Sequence, residues 1–340
     1  MSKILVTGGA GFIGCHVAEH LVQRGHTVTV LDDLSGGFVE NIPDGATFVR
    51  GSITDQGLVN SLFARSRFDF VYHLAAYAAE GLSHFIKNFN YTNNLTGSVN
   101  LINAAVNTGV QCFVFTSSIA VYGTSQVLPM TEDTVAEPED SYGIAKLAVE
   151  QELRASKRMF GLNYIIFRPH NVYGERQNIG DRYRNVIGIF MNQILRQRPM
   201  TVFGDGSQAR AFSYIDDVAP VIANAIDTPQ AYNQVFNIGA DQPYTVNELT
   251  RAVAQAMGVE PEIVHLPARN EVLLAFSSHE KVRRIFGDRP RCSLETGLSR
   301  MAAWVTTHGA RTSEPFKHIE IEKNLPQIWR DQMLTTTATG

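Results

Sequence analysis

Tyr142 and Lys146 are the residues of this chain whose types and spacing are best suited to moving a proton. They stand at positions i and i+4 in SYGIAKLAVE, so a helix would present both side chains on one face. Tyrosine is a poor base at its ordinary pKa of about 10, but a nearby ammonium and the cationic ring of a bound cofactor both favour the phenolate. The alternative is a surface helix with an incidental tyrosine and lysine, because this spacing is common by chance.

Ser118 is the third candidate for this chemistry. It follows CFVFT, an apolar run that indicates a strand. Ligands bind beyond the carboxyl ends of the strands in open parallel sheets, so we expect the Ser118 hydroxyl to meet Tyr142 there and share the proton of a substrate alcohol. We therefore predict that Ser118, Tyr142 and Lys146 are catalytic, and that Ser118 and Tyr142 also contact the substrate.

A glycine-rich turn, GGAGFIG, follows the first apolar run of the chain. Its glycines Gly8, Gly11 and Gly14 permit a tight turn, close approach of the backbone to a pyrophosphate and close helix–strand packing. A helix that begins at Phe12 would direct unpaired N–H groups at the phosphates. A glycine triplet alone is a weak signal, since tight turns also use glycine for purely structural reasons.

An acidic residue at the end of the second apolar run strengthens the prediction of a dinucleotide site. Asp32, in TVLDD, can accept both hydroxyls of an adenosine ribose and would repel a 2′-phosphate. No arginine follows in LDDLSGG to bind such a phosphate. Asp33 either shares this role or is a loop acid. The pattern favours NAD over NADP.

The elements that would position these residues alternate between short strands and longer helices. The predicted strands are apolar throughout, which suits a parallel sheet covered on both faces. Repeated strand–helix alternation implies right-handed crossovers and a doubly wound α/β fold of the Rossmann type. The rhythm breaks after about Gly174, which predicts a smaller mixed α/β domain for the substrate. We assign residues 1–174 with 212–240 to the dinucleotide domain, 175–211 with 241–330 to the substrate domain, and 331–340 to a flexible tail.

Composition narrows the class of protein. The 340 residues carry a net charge of −4 and are 44% hydrophobic and 18% charged, which is ordinary for a globular protein and gives no basic footprint for nucleic acid. No apolar run approaches the ~20 residues that span a membrane, and the N-terminus has no signal-peptide pattern. Three widely spaced cysteines fit a reducing cytoplasm better than disulfides or a metal site.

Several motifs together resemble one family. TGGAGFIG, LDDLSGG, HLAA, FTSSIAVYG, YGIAK and FRPHNVYG are similar to the motifs of extended short-chain dehydrogenases/reductases of the nucleotide-sugar epimerase/dehydratase family, over residues 2–304. The resemblance implies a tightly held NAD, a nucleoside-diphosphate sugar as substrate, and a homodimer formed through residues 91–107 and 142–160.

The resemblance also implies binding residues. For NAD these are Gly8, Gly11, Phe12, Ile13, Gly14, Asp32, Asp33, Ser52, Ile53, Leu74, Ala75, Ala76, Asn94, Tyr142 and Lys146. For the diphosphate of the substrate they are Asn171, Asn185, Arg210 and Arg269. The fixed donor fork of arginine suits a diphosphate. The chain departs from the family at four positions. Ser52 stands where many members have aspartate, and Ala78 replaces a lysine that some epimerases have. Ala211 and Ser278 replace acids that are common in their motifs.

The residues after Ser118 distinguish between the reactions of this family. Related 4,6-dehydratases have an acidic pair there, and members that decarboxylate a sugar acid have a glutamate at its second position. Here the pair is Ile119 and Ala120, neither of which can transfer a proton. A dehydratase without its acid and base would lack a rate contribution of about 10²–10⁴ from each. The hypothesis is therefore a UDP-sugar 4-epimerase, which oxidises and re-reduces one carbinol.

Alternatives stay open. Within the family they are a UDP-glucuronate epimerase or decarboxylase, a 4,6-dehydratase with relocated acids, and a 4-ketoreductase. Outside it, a non-catalytic NAD-sensing protein would be expected to lack Tyr142 or Lys146.

Ala275 resembles a gatekeeper position, where a small residue leaves room for an N-acetyl group, or else it is only a packed residue. The tail after residue 313 lies beyond the family's usual end and is expected to pack as an extra helix.

Overall fold

Seven parallel strands form the main sheet of the computed structural model, which describes residues 1–125, 127–268, 272–313, 316, 318–327 and 329–330. The strands of the described chain, in the main sheet and in smaller sheets together, are β1 Lys3–Thr7, β2 Thr27–Asp32, β3 Thr47–Arg50, β4 Phe70–His73, β5 Cys112–Thr116, β6 Asn163–Pro169, β7 Val172–Tyr173, β8 Met200–Phe203, β9 Ala209–Ala211, β10 Ser213–Tyr214, β11 Gln234–Ile238, β12 Pro243–Thr245, β13 Ile263–Leu266 and β14 Leu274–Ala275. The main sheet has the order β11-β6-β5-β4-β1-β2-β3, and every pair in it is parallel. The predicted doubly wound sheet is confirmed.

The helices cover both faces of this sheet. They are α1 Phe12–Gln23, α2 Gln56–Ser66, α3 Glu80–Ser83, α4 Lys87–Tyr91, α5 Gly97–Thr108, α6 Ser141–Phe160, α7 Val186–Leu195, α8 Ile215–Ala223, α9 Val246–Met257, α10 Glu280–Phe286 and α11 Leu294–His308. One core cluster joins α1 and α8 to one face, and a second joins α2, α5 and α6 to the other. Strand residues are therefore apolar in succession; Ile4, Leu5 and Val6 are all fully buried.

The order of the main sheet reverses next to β1. The chain runs outward from β1 through β2 to β3, and then returns to β4 on the other side of β1. Crossovers diverge at such a point and leave a crevice at the carboxyl ends of the strands. The glycine turn after β1 therefore lies beside the loop after β4.

The remaining strands form three small sheets, β10-β7, β12-β9-β14 and β13-β8. The first core cluster continues from the main sheet into α7, α9 and α11. Thr245 and Ser293 begin α9 and α11, and each side chain accepts a backbone N–H three positions on. The division of the chain into two domains stays a prediction, and residues 331–340 lie outside the described part.

The C-terminal tail differs from the expected extra helix. Among its described residues, only Gln327, Trp329 and Arg330 are helical, and residues 318–326 have an irregular path.

Within the described chain, none of the helices combines the length and apolar character that crossing a membrane requires.

Candidate active site

The carboxyl ends of the central strands open into one continuous cleft with a volume of about 1540 Å³. All predicted site residues in the described part of the chain line this cleft except Asn94, which is buried next to it. Arg269 lies outside the described residues. The structure thus brings together residues from nine segments that are far apart in sequence.

The glycine turn leaves no room for side chains. Gly8 has a φ of 71°, and a Cβ on it would lie 2.6 Å from the backbone nitrogen of Ala75. A Cβ on Gly14 would lie 2.0 Å from the carbonyl oxygen of Gly8. Gly11 directly precedes α1, so the N–H groups at the start of that helix open onto the cleft, which Phe12 also lines.

Asp32 ends β2 at the edge of the cleft. Its carboxylate accepts the N–H of Leu34 at 2.8 Å and that of Ala10 at 3.0 Å, which ties β2 to the glycine turn. Burial raises its pKa, and the two backbone hydrogen bonds oppose this effect. The Asp33 carboxylate accepts the N–H of Ser35 at 2.9 Å in the adjacent loop. Asp32 is thus the acid fixed against the turn.

Asn94 connects the loop after β4 to the start of α6. Its amide accepts the N–H of Tyr77 at 2.8 Å and donates to the Tyr77 carbonyl at 3.1 Å. It also donates to the side chain of Asn90 at 2.7 Å, and Asn90 donates to the Ser141 carbonyl at 2.7 Å. Asn94 therefore acts on the cleft through Tyr77, which lines it.

Tyr142 lies in the first turn of α6, where Asp140 is the N-cap. Its backbone N–H is shared by the Asp140 carboxylate at 2.9 Å and the Ser83 hydroxyl at 3.1 Å. Burial raises the pKa of the Tyr142 phenol, and a hydrogen bond with Ser118 acts to lower it. The contact predicted between Ser118 and Tyr142 is present, and Ser118 also accepts the N–H of Ala120 at 3.1 Å.

Lys146 lies one turn further along α6. Its ammonium donates to the Thr116 carbonyl at 2.8 Å and lies 5.7 Å from the centroid of the Tyr142 ring. Burial lowers the pKa of Lys146 to about 7, although the charge of Glu150 acts to raise it. The sequence predicts the effect of the lysine charge on Tyr142 but not the effect of burial. Burial favours the neutral form of both side chains, the protonated phenol of Tyr142 and the uncharged amine of Lys146.

A buried ion pair supports this part of the cleft, and sequence reasoning missed it. Arg168 on β6 donates to the Glu150 carboxylate of α6 at 2.8 and 2.6 Å. Ser117, the neighbour of Ser118, donates to the same carboxylate at 2.7 Å, and Arg168 also donates to the Tyr122 hydroxyl at 2.8 Å. The pair therefore fixes the chain on both sides of Ser118. A glutamate on the apolar face of LAVEQEL was the only available signal.

The predicted diphosphate residues come from three different elements. Asn171 has a φ of 41° and donates to the Ala211 carbonyl at 3.1 Å. Asn185 precedes α7 with a φ of 57° and donates to the Val172 carbonyl. Arg210 on β9 donates to the Leu273 carbonyl at 3.0 Å. The three side chains share the cleft and are held by backbone carbonyls.

Two charged residues near Tyr142 had no motif to reveal them. Glu80, the first residue of α3, lines the cleft, and its charge acts to raise the pKa of Tyr142. Arg184 lines the cleft as well, and its charge acts to lower that pKa. The Arg184 guanidinium donates to Asp181 at 2.7 Å and lies 5.1 Å from the Tyr77 ring. The absence of carboxylates after Ser118 therefore does not extend to the whole cleft.

Two orphaned polar atoms indicate that the cleft is built for ligands. In the described part of the chain, the Thr116 hydroxyl and the side-chain oxygen of Gln177 are buried without a hydrogen-bond partner, and both residues line the cleft. The cleft is larger than the ~300–1,000 Å³ of a usual single-ligand pocket. The donor set and the glycine turn fit a dinucleotide. The described residues contain no group of three side chains suited to hold a metal ion.

A switch-point cleft with a glycine turn, a strand-end aspartate and a Ser/Tyr/Lys set defines a dinucleotide-dependent enzyme of the short-chain dehydrogenase/reductase type. The comparison with known families agrees. The chain belongs to the NAD-dependent epimerase/dehydratase family, whose sequence profile matches residues 4–239. Its cofactor is NAD.

Individual relatives indicate the kind of enzyme. The chain is 34% identical over 306 residues to a UDP-glucose 4-epimerase of Mycolicibacterium smegmatis, which covers 88% of this chain and 96% of the relative. The crystal structure of UDP-glucose 4-epimerase with UDP-glucose from Thermotoga maritima has a TM-score of 0.86 and 36% identity, over 90% of this chain and 99% of that one. A relative with another reaction, a UDP-N-acetyl-alpha-D-glucosaminuronate decarboxylase of Bacillus cytotoxicus, is 30% identical over 318 residues, 89% of this chain and 97% of its own. The protein is therefore an enzyme of the nucleotide-sugar epimerase kind.

Proposed function

We propose that this enzyme is a UDP-sugar 4-epimerase that works by transient oxidation at C4. The observation that carries the proposal is the contact between Ser118 and Tyr142 in a cleft where the two positions after Ser118 are Ile119 and Ala120. Such a site has the groups to take a proton from an alcohol and return it. It lacks, at the positions where related dehydratases have them, the acid and base that remove water.

Tyr142 is the proposed proton acceptor for the C4 hydroxyl. Its phenol is buried in the cleft, and Ser118 is placed to hydrogen-bond both the phenol and the sugar oxygen. NAD, when bound, supplies the acceptor and later the donor of the C4 hydride, together with a positive charge that favours the phenolate. Lys146 contributes a partial charge near neutral pH, because its pKa is about 7. The proton then returns from Tyr142 to the alcohol on the opposite face of the sugar.

Asn171, Asn185 and Arg210 are the proposed anchor for the diphosphate. Each comes from a different element, and the backbone contacts described above limit the motion of all three side chains. A fixed diphosphate allows the 4-keto sugar to turn about its link and present its other face without leaving. Arg269 remains part of this proposal as a residue outside the described part of the chain.

The sugar is proposed to be a hexose or an N-acetylhexosamine, as in UDP-Glc/UDP-Gal or UDP-GlcNAc/UDP-GalNAc. Ala275 supports the larger group, since it lines the cleft and lies beside Arg210 in the register of β14 and β9. Its side chain is a single methyl group, so the wall at this point leaves space that a tyrosine would fill.

Glu80 favours a second candidate, a 4,6-dehydratase with relocated acids. Its carboxylate acts on the pKa of Tyr142, so the cleft does contain an acid within electrostatic reach of the catalytic phenol. Asp140 is a weaker candidate, because its carboxylate already accepts the N–H groups of Tyr142 and Gly143. Dehydration would require Glu80 to exchange the C5 proton of the sugar.

Proton NMR in deuterated water distinguishes the two. The protein with NAD⁺ is incubated with UDP-Glc, UDP-GlcNAc and UDP-GlcA in parallel. The proposal expects the C4 epimer of at least one sugar, without deuterium at C4 or C5, because the C4 hydride returns internally. A 4-keto-6-deoxy sugar with deuterium at C5 would favour the dehydratase, and three unconverted sugars would refute both.

A homodimer through α5 and α6 is also proposed. The two helices pack side by side on the same face of the sheet, and α6 exposes Ile144, Met159 and Phe160, whose exposed fractions are 42%, 76% and 62%. Exposed apolar side chains on one helix support an interface there. Light scattering of the wild type and of Met159→Glu would test it, with a monomeric wild type as the refuting result.

A further inference from the structure

The chain after α11 crosses back to the cleft. We name the described residues 316, 318–327 and 329–330 the C-terminal strap. The Phe316 ring packs edge-on against Phe89 at 4.8 Å and lies 5.5 Å from Tyr77. The Trp329 ring packs edge-on against Phe85 at 6.0 Å and Tyr183 at 5.4 Å. Together with buried Leu325, these side chains form an apolar cluster with the segment between β4 and α5.

Polar contacts fix the strap between its aromatic residues. The Glu320 carboxylate accepts the N–H groups of Asn88 at 2.7 Å and Phe89 at 2.9 Å, at the start of α4. The backbone N–H of Glu320 donates to the Phe85 carbonyl at 2.8 Å. Packing and hydrogen bonds therefore seat the strap on α3 and α4.

The strap forms part of the cleft wall. Ile321, Lys323, Asn324, Pro326, Gln327 and Trp329 line the same cleft as Tyr142 and Ser118. These strap residues lie outside residues 4–239, which the family profile matches, so the family motifs do not account for them.

The contacts of Trp329 locate the strap at the catalytic end of the cleft. Its ring lies 3.7 Å from the point that a Cβ on Gly81 would occupy, and Gly81 follows Glu80. The other neighbour of the ring, Tyr183, precedes Arg184. Glu80 and Arg184 both act on the pKa of Tyr142, the proposed proton acceptor. The strap therefore borders the region where the sugar would bind.

We propose that the C-terminal strap is the outer wall of the sugar subsite, with Trp329 as a positioning residue that holds the hexose and keeps water from the 4-keto intermediate. This inference rests on the proposed function. Closing a site with an aromatic wall excludes water and limits the orientations of the substrate. An enzyme that must turn its own intermediate between two orientations needs such a wall, because a 4-keto sugar that escapes leaves the cofactor reduced.

The two tryptophans of the chain allow a direct test. Trp304 lies on α11, stacked on His308 at 4.4 Å, and only Trp329 of the pair lines the cleft. Trp304→Phe leaves Trp329 as the reporter, and Trp329→Phe leaves Trp304. We expect UDP-glucose or UDP-GlcNAc, with NAD⁺ present, to change the emission of Trp304→Phe and not that of Trp329→Phe. UDP alone should change the emission of Trp304→Phe less than the UDP-sugars do, because UDP lacks the sugar.

Kinetics separates positioning from packing. Trp329→Ala should lower kcat/KM about tenfold and should accumulate absorbance at 340 nm, since escape of the keto sugar leaves NADH behind. Leu325→Ala is the matched control, because Leu325 is buried in the same cluster but does not line the cleft. It should lower thermal stability without the rise at 340 nm.

The outcomes separate the two proposals. If calorimetry shows no binding of UDP-sugars to the wild type, the proposed function fails. If UDP-sugars bind and are converted, but Trp329 emission is unmoved by the sugar, or Trp329→Ala and Leu325→Ala behave alike, the strap is a packing element and the inference is overturned. The fluorescence arm uses conservative variants, so it stands even where Trp329→Ala fails to fold.

Discussion

Replacing Glu150 by glutamine should lower the free energy of unfolding and also shift the pH profile of activity to lower pH. The Glu150 side chain is fully buried, and that of Arg168 is 3% exposed. Burial acts to lower the pKa of Arg168, and the hydrogen bonds and charge of Glu150, together with the smaller effect of Tyr122, more than reverse this. Glu150→Gln would leave the guanidinium buried without its counter-charge.

The expected loss of stability is large. Removing one partner of a buried ion pair costs about 3–5 kcal/mol, and for a chain of this size the Tm should fall by about 4–7 °C. The second effect acts through Lys146, because the charge of Glu150 raises the pKa of that lysine. Without it, the pKa of Lys146 falls below about 7. Opposite charges one turn apart in a buried site interact by a few kcal/mol, so a shift of about one pH unit or more is expected.

Two measurements check this prediction. Urea unfolding gives the change in the free energy of unfolding, and kcat/KM from pH 5.5 to 9 gives the pH at which activity falls as Lys146 loses its proton. Glu152→Gln is the control, since Glu152 is exposed on the same helix and should change stability by less than about 0.5 kcal/mol. A Glu150→Gln enzyme with unchanged unfolding, or with the pH profile of the wild type, would refute the reasoning.

Three further predictions follow from the site. Tyr142→Phe should lower turnover by about 10²–10⁴ or more while retaining NAD, measured by NMR and by the absorbance of bound cofactor; unchanged turnover would remove Tyr142 from the mechanism. Lys146→Met should flatten the rise of stability with pH between about 7 and 9 in urea unfolding. In the wild type the folded lysine releases its proton near pH 7 while the unfolded one keeps it to about 10.4, so unfolding becomes costlier by up to about 1.4 kcal/mol per pH unit; equal slopes would contradict this. Ala275→Tyr should lower kcat/KM for UDP-GlcNAc at least about tenfold and spare UDP-glucose, and equal losses for both would show that Ala275 does not select the sugar.

Features that depend on neighbouring residues could be predicted from the sequence. Gly8, Gly11 and Gly14 follow a strand at a spacing that only a tight turn explains, and the apolar strands required a sheet covered on both faces. Tyr142 and Lys146 are one helical turn apart, so their shared face needed no tertiary information. The family resemblance then indicated the cleft residues Asn171, Asn185 and Arg210 before their positions were seen.

Features that depend on contacts between distant segments required the tertiary structure. Glu80 and Arg184 reach the surroundings of Tyr142 from α3 and from the loop before α7, and no motif marks either residue. The pairing of Glu150 with Arg168 joins a helix to a strand, and the strap returns 231 positions in sequence to bind the start of α4. Burial also decided the charge states, because the pKa values of Tyr142 and Lys146 depend on what excludes water from them. Exclusion of water is a property of the whole packed chain, and no local pattern of residues contains it.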